Sequence, residues 1–297
     1  MRRLHADLLI LLAAAIWGFA FYFQKTAMDH IGPFLFISAR AGVAALALAP
    51  LIVAEARRAV APYPAKLSRI GVAAGFAFFI AAALQQTGLV TATVTNSGFL
   101  TALYVIITPL LAWGLLHTKP TPCVWVAVAL AVIGAWLLGG GTAGGFSAGD
   151  GLVAFSAAFW AAHLLLTAAS APLARPITFS TLQFAVVAAC GLAGALAAEP
   201  INWTGLWGAA PAIAFVGLLS SALTFTLLAV AMKHTPPSET AILVSTETLF
   251  AAMAGAVFLG ERLSGIGWLG AGLMFAAMLL VQLGPRLEVH LKGGQPT

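Results

Sequence analysis

Charged side chains are scarce in this sequence. Of its 297 residues only 8% are Asp, Glu, Lys or Arg, while 61% are hydrophobic. A soluble domain carries about 25% charged residues, because its surface must face water. The scarcity therefore excludes an ordinary soluble protein and favours a chain whose surface faces lipid.

Cysteine is also rare, and the basic residues are not clustered. Cys123 and Cys190 lie in separate apolar stretches, which excludes a disulfide framework and a cysteine-based metal cluster. The net charge of +5 comes from Lys and Arg that are scattered among short loops rather than gathered on one face. We therefore expect no nucleic-acid partner. No cofactor and no metal site are implied.

Ten long apolar segments are what the sequence does contain. Each segment has close to the roughly 20 residues that a helix needs to cross the hydrocarbon core of a membrane. Gly or Pro marks the gaps between the segments. The first begins "MRRLHADLLILL" like a signal peptide, but it continues through "AAAIWGFAFYF", so we interpret it as a retained first helix. The predicted spans are 5–25, 33–53, 69–90, 95–115, 121–139, 150–170, 178–197, 208–231, 238–259 and 264–284.

The basic residues predict the orientation in the membrane. With a cytoplasmic amino terminus, eleven Lys and Arg fall on the cytoplasmic side and only Lys25 and Arg262 on the other, with Arg40 inside a span. This bias follows the positive-inside rule. We predict a multi-pass protein of the inner (plasma) membrane with both termini in the cytoplasm.

The sequence resembles itself weakly at an offset of about 140 residues. "AAAIWGFAF" of helix one is echoed by "SAAFWAAHL" of helix six, and "TALYVIITPLLA" of helix four by "TAILVSTETLFA" of helix nine. Five helices per copy is an odd number, so the second copy enters the membrane inverted. We predict an all-α integral membrane protein of ten transmembrane helices, built from two inverted five-helix repeats at 1–140 and 145–285, with a cytoplasmic tail at 286–297. Chance similarity between two alanine-rich stretches is the alternative.

The segment "TETLFAAMAGAVFLGERLSGIGWLGAGLMFAAMLL" resembles the end of the EamA-like ten-helix transporters of the drug/metabolite transporter superfamily. Glu247 matches the glutamate of their Glu-Pro pair, and Leu259–Glu261 match their Leu-Gly-Glu triplet. Thr248 stands where the proline is common, which leaves a kink at this point open. "IWGFAF" and Arg40 in "FISARAG" also fit the family. The aromatic first helix and "GFLTALYVIITPLLAW" look most like the branch that exports aromatic amino acids.

Glu247 is the first candidate functional residue. Its position places it near the middle of helix nine, where a carboxylate facing lipid would cost about 3 kcal/mol. It must therefore face the interior of the bundle, a water-filled cavity or a partner. A neutral acid that joins two helices and a substrate or proton site both remain open.

Further candidates share helix faces near the midplane. Ser97, Thr101, Tyr104 and Thr108 recur at spacings of four, three and four residues, and Trp160, His163 and Thr167 share a face of helix six. Hydroxyls bonded to their own backbone, a packed histidine and tryptophans that only fill the core are the structural alternatives. The predicted substrate-binding residues are Trp17, Thr101, Tyr104, Thr108, Trp160, His163 and Glu247.

Three other features have several interpretations. Arg40 can snorkel outward, pair with a carboxylate such as Glu261, or hold a substrate carboxylate. Gly71 and Gly75 form a small-residue pair that permits close helix packing, and faces of this kind also leave a homo-oligomer open. Pro109 is expected to bend helix four.

The features together predict a secondary transporter, not an enzyme. It would export small metabolites, with amino acids and above all aromatic amino acids as the leading substrates, by alternating access across the lipid bilayer. A passive facilitator of the same fold is one alternative. An intramembrane hydrolase that pairs His163 with Ser220 or Ser221 is another, but neither of these serines lies in a Gly-x-Ser-x-Gly sequence, and the chain contains no His-x-x-x-His.

Overall fold

The computed structural model describes residues 3–58, 63–117, 119–142, 145–231 and 243–291. Within these ranges every regular element is helical. A 3-10 turn, Ala171–Leu173, follows α7, and a π-helical segment, Phe215–Leu223, joins α9 to α10. The helices are α1 Arg3–Ala27, α2 Pro33–Arg58, α3 Ala65–Leu89, α4 Val94–Thr101, α5 Tyr104–Leu116, α6 Pro122–Leu138, α7 Ala148–Ser170, α8 Pro176–Ala198, α9 Trp203–Ala214, α10 Thr224–Ala231, α11 Glu247–Leu259 and α12 Gly265–Leu291.

The distribution of apolar side chains is that of a membrane protein. Across the described ranges, eight helical stretches are long and apolar enough to cross a bilayer. Large apolar side chains point outward, such as Trp207 at 83% exposed and Leu46 at 75%, whereas Gln86 and Gln183 are fully buried. Two shorter apolar helices, Pro122–Leu138 and Leu243–Leu259, coincide with the predicted fifth and ninth spans. The number of ten spans therefore stays a prediction.

Two of the predicted spans contain a tight turn at residues whose backbone stays right-handed helical. In the fourth, a turn at Ala102 and Leu103 separates α4 from α5, and tight bonds from Val105 N–H to the Ala102 carbonyl (3.0 Å) and from Ile106 N–H to the Leu103 carbonyl (3.0 Å) stabilise it. Pro109 lies inside α5, beyond this turn, and the bend expected at the proline stays a prediction.

In the ninth span the turn is at Thr246, directly before α11. The first part of that predicted span, 238–242, lies outside the described residues. The turn occurs although Thr248 replaces the proline that is common nearby in similar proteins. Thr246 keeps right-handed helical backbone angles (φ −66°, ψ −11°), so a kink at this point stays an open prediction.

Helices α2 and α8 run antiparallel and cap each other. Both begin with a proline at the first helical position, where the missing N–H costs nothing. Glu199, directly after α8, accepts two backbone N–H groups at the start of α2 at 2.7 and 2.9 Å. Glu55, near the end of α2, accepts two at the start of α8 at 2.8 and 2.9 Å. Each carboxylate satisfies free N–H groups and faces the positive end of a helix dipole, so the pair clamps the two halves of the chain together.

Glycines allow the closest helix contacts. A Cβ atom at Gly18 of α1 would lie 2.6 Å from the Glu247 carbonyl oxygen of α11. Gly71 and Gly75 of α3 face α8, where added Cβ atoms would come within 2.7 Å of Leu182 and 2.6 Å of Val186 side-chain atoms. This small-residue pair is therefore used for packing within the chain.

Candidate functional site

Glu247 is buried where two interrupted helices meet. It is the first residue of α11, it is only 6% exposed, and the Tyr104 hydroxyl hydrogen-bonds with its carboxyl group. Tyr104 is itself the first residue of α5, directly after the other interruption. Interrupted membrane helices often line transport sites, since their freed backbone groups need a polar cavity.

The predicted polar face of the fourth span is divided by the turn at residues 102–103. Thr101, at the end of α4, accepts a hydrogen bond from Gln85 of α3 at 2.7 Å. The Thr108 hydroxyl donates to the Tyr104 backbone carbonyl at 2.6 Å, which is the local bonding weighed as an alternative. Ser97 is fully buried, and its hydroxyl lacks a hydrogen-bond partner in the part of the chain that the structure describes.

A row of aromatic rings links the two tryptophans that echo each other in the sequence. Trp17, Phe225, Phe184, Phe78 and Trp160 follow one another with ring centroids 6.0, 5.5, 5.6 and 4.9 Å apart. We call these five residues the aromatic row. Its members come from α1, α10, α8, α3 and α7, so it crosses both halves of the chain. The Trp17 indole N–H donates to the Ser220 carbonyl at 2.8 Å.

His163 packs against one end of the aromatic row. Its ring centroid is 5.2 Å from that of Phe78 and 5.8 Å from that of Trp160. Its Nε2 lies 2.7 Å from Oε1 of Gln183, which is fully buried on α8. The hydroxyl of Thr167 donates to the His163 carbonyl at 2.9 Å and so serves its own helix. Sequence reasoning missed Gln183, although a glutamine in an apolar span was the available signal.

Arg40 neither snorkels outward nor pairs with Glu261. Its side chain is buried, with the guanidinium carbon 5.8 Å from the ring centroid of Phe36 and 6.0 Å from that of Phe78. Glu261 instead accepts two backbone N–H groups at the start of α4, at 2.7 and 2.8 Å. Two of the three interpretations of Arg40 are therefore wrong, because the carboxylate is used as a helix cap and the arginine points into the bundle.

A cleft of about 170 Å³ lies elsewhere, between α1 and α9. Tyr22, Phe23, Thr26 and His30 line one side of it, and Pro211 lines the other. None of the seven predicted site residues lines this cleft.

The structure brings Trp17, Trp160 and His163 together along the aromatic row and brings Tyr104 to Glu247. Thr101 instead bonds with Gln85, and Thr108 bonds with its own helix.

An all-helical chain with apolar side chains outside and polar groups inside, interrupted at buried polar residues, has the construction of a membrane transporter. The comparison with known families gives the same class. The chain matches the EamA-like transporter family over residues 4–140 and again over 147–283. It belongs to the EamA-like transporter family, and it is a transporter rather than an enzyme.

Similar proteins agree with the family. The chain is 28% identical over 289 residues to an uncharacterized transporter of Archaeoglobus fulgidus, covering 95% of this chain and 87% of that one. It is 28% identical over 286 residues to the uncharacterized transporter YwfM of Bacillus subtilis, covering 95% of each. The threonine/homoserine exporter RhtA of Escherichia coli K12 is 30% identical over 177 residues, which is 59% of each chain.

One solved crystal structure supports the fold alone. It superposes with a TM-score of 0.65 over 97% of this chain and 100% of its own length, at 18% identity.

Proposed function

We propose that this chain is a secondary transporter that exports amino acids across the inner membrane by alternating access. In this proposal residues 1–140 and 145–285 form two inverted five-helix repeats that move against each other about a site near the midplane. The observation that carries it is the double match to one transporter family, once in each half of the chain.

The reciprocal capping of α2 and α8 supports the inverted arrangement. These helices hold the same place in the two matched halves, and each starts with a proline whose neighbouring N–H groups are capped by a glutamate of the other. Equivalent helices that run in opposite directions are what inverted repeats require. Both termini would then lie in the cytoplasm.

The aromatic row favours an aromatic amino acid as the substrate. Trp17 and Trp160 would contact the substrate ring at the two ends of the row, and His163 would offer a polar group beside it. Thr101, Tyr104, Thr108 and Glu247 would form the polar part of the path. Offset and edge-to-face contacts between aromatic rings are worth about 0.5–1.5 kcal/mol beyond their burial, so such a site selects rings over small side chains.

Threonine or homoserine is a second candidate substrate class. It rests on one observation, the similarity to the threonine/homoserine exporter RhtA over 59% of both chains. The hydrogen-bonded pair of Gln85 and Thr101 would then take part in recognition of the substrate hydroxyl.

Uptake by proteoliposomes tests the function and separates the two classes. We expect purified protein to accumulate labelled phenylalanine, tyrosine or tryptophan against a concentration gradient, more strongly than threonine. Trp160→Ala should lower the rate for aromatic amino acids about tenfold, because roughly 1.4 kcal/mol of ring contact is lost. Trp207→Ala on the lipid-facing side of α9, where the side chain is 83% exposed, is the matched control.

Three results would contradict the proposal. Equilibration without accumulation would identify a passive facilitator. Preference for threonine would favour the second substrate class. Equal loss of uptake in both tryptophan variants would assign Trp160 to packing.

A further inference from the structure

The buried nitrogen atoms that lack a hydrogen-bond partner are concentrated on three side chains. Among the described residues they are Nε and Nη2 of Arg40, Nε1 of Trp160 and Nε2 of Gln183. The other buried side-chain atoms without a partner are oxygens, and they belong to other residues. All four nitrogens carry hydrogen and can only donate, so this part of the interior lacks acceptors.

These donors surround one end of the aromatic row. Phe78 lies 6.0 Å from the guanidinium carbon of Arg40 and 4.9 Å from the Trp160 ring. Gln183 joins the same group through His163, whose ring is 5.2 Å from Phe78. Four helices, α2, α3, α7 and α8, contribute these side chains, so the group lies between the two halves of the chain. Burial of Arg40 and Gln183 is at least nine-tenths complete, at 6% and 0% exposed.

In the part of the chain that the structure describes, five carboxylates are engaged with partners other than Arg40. Glu55, Glu199 and Glu261 cap helices, Asp150 binds Ser147 and Asn96, and Glu247 bonds with Tyr104. Arg40 contacts two phenylalanine rings instead, and the attraction of a cation to a ring is weaker than that to a paired anion. A buried cation without a paired anion is unfavourable, so an anion that enters this place is favoured.

We propose that Arg40, together with Trp160 and Gln183, binds the carboxylate of the transported substrate. A carboxylate fits because it is planar, brings acceptors only, and pairs with a guanidinium through two parallel hydrogen bonds. The substrate side chain would lie along the aromatic row. That the substrate is an amino acid rests on the proposed function. That it carries a carboxylate rests on the four buried N–H donors without a hydrogen-bond partner.

The test compares ligands that differ only in the carboxylate. Binding of phenylalanine and phenylalaninamide, phenylacetate and phenylacetamide, and threonine and threoninamide to the detergent-solubilised full chain is measured by calorimetry and by tryptophan fluorescence. In at least one pair we expect the acid to bind at least about tenfold more tightly than its amide. A hydrogen bond to a charged group contributes a difference in affinity of this size. Arg40→Met should abolish that preference, while Arg40→Lys should retain part of it because the charge remains.

Two further variants control the experiment. Arg69→Met removes one positive charge from an exposed position at the start of α3 and should leave the preference unchanged. Trp160→Phe keeps a ring and removes the N–H, so it should weaken acid binding several-fold more than amide binding, because the charged acceptor loses the stronger hydrogen bond. If Arg40→Met does not fold, Arg40→Lys and Trp160→Phe decide the question.

The outcomes separate this inference from the proposed function. Equal affinity for acid and amide in every pair overturns the inference, even when liposomes accumulate amino acids. An acid preference that persists in folded Arg40→Met also overturns it. Binding of phenylacetate that depends on Arg40, in a protein that moves no amino acid, supports the inference and contradicts the proposed function.

Discussion

Glu247 has two physical reasons to occupy an apolar segment. It faces the interior of the bundle, where it is only 6% exposed, rather than lipid. The Tyr104 hydroxyl supplies a hydrogen bond from the other interrupted helix. A structural role and a transport role are therefore compatible, and they differ in whether the negative charge is needed.

Glutamine at this position separates the roles. Glu247→Gln keeps the size and the hydrogen bond to Tyr104 but cannot ionise, whereas Glu247→Ala leaves the buried phenol without its partner. We expect Glu247→Ala to lower the free energy of unfolding by about 1–3 kcal/mol and Glu247→Gln to lower it less. We also expect Glu247→Gln to impair transport, measured in liposomes with and without a proton gradient.

The pattern of impairment identifies the role of Glu247. Loss of gradient-driven uptake with intact substrate exchange indicates a proton carrier. Loss of both indicates a site for the substrate amine. Tyr104→Phe is the matched control, since it removes the hydrogen bond and leaves the carboxylate in place. Wild-type kinetics in Glu247→Gln would show that the carboxylate is purely structural.

The helices themselves were largely predictable, and their interruptions were not. Apolar runs bounded by Pro and Gly gave several helix starts to within two residues, as at Pro33, Pro122 and Pro176, whereas α2 ends five residues and α12 seven residues beyond the predicted end. The turn at residues 102–103 has no such signal, because small and apolar residues continue through it, and the turn at Thr246 lies in a polar stretch that contains neither Pro nor Gly. An apolar window reports that a segment crosses lipid, and it does not report where the backbone hydrogen bonds change partners.

The glutamate caps act at the ends of these elements. In Glu199→Gln one acceptor oxygen becomes a donor and the charge is lost, so one N–H group of α2 loses its partner. We expect a decrease in stability of about 1–2 kcal/mol, seen as a lower midpoint of thermal unfolding in detergent. Asp29→Asn removes the same charge at a nearby exposed site and should leave the midpoint unchanged. Equal midpoints for Glu199→Gln and the wild type would show that the cap contributes little.

At the scale of the whole molecule, the family was evident from the sequence, whereas the contacts between its parts were not. The order of short motifs over nearly the full chain pointed to the EamA-like family, and the match over both halves confirmed it. The contact between Phe78 and Trp160 joins residues of different halves, and no periodicity within one helix encodes it. Arg40 was left with three interpretations for the same reason, since its surroundings come from other helices.

The last prediction concerns the orientation of the whole chain. Eleven Lys and Arg on one side against two on the other predict cytoplasmic termini, and an odd number of spans in each half places the connection between the halves outside. Reporter fusions after residue 145 should therefore report the outer side, and fusions after residue 292 the cytoplasm. Fusions after residues 60 and 202 are matched controls, expected inside and outside respectively. A reporter on the same side at 145 and 292 would be incompatible with two inverted five-helix halves, because only an odd number of crossings between those points inverts the second copy.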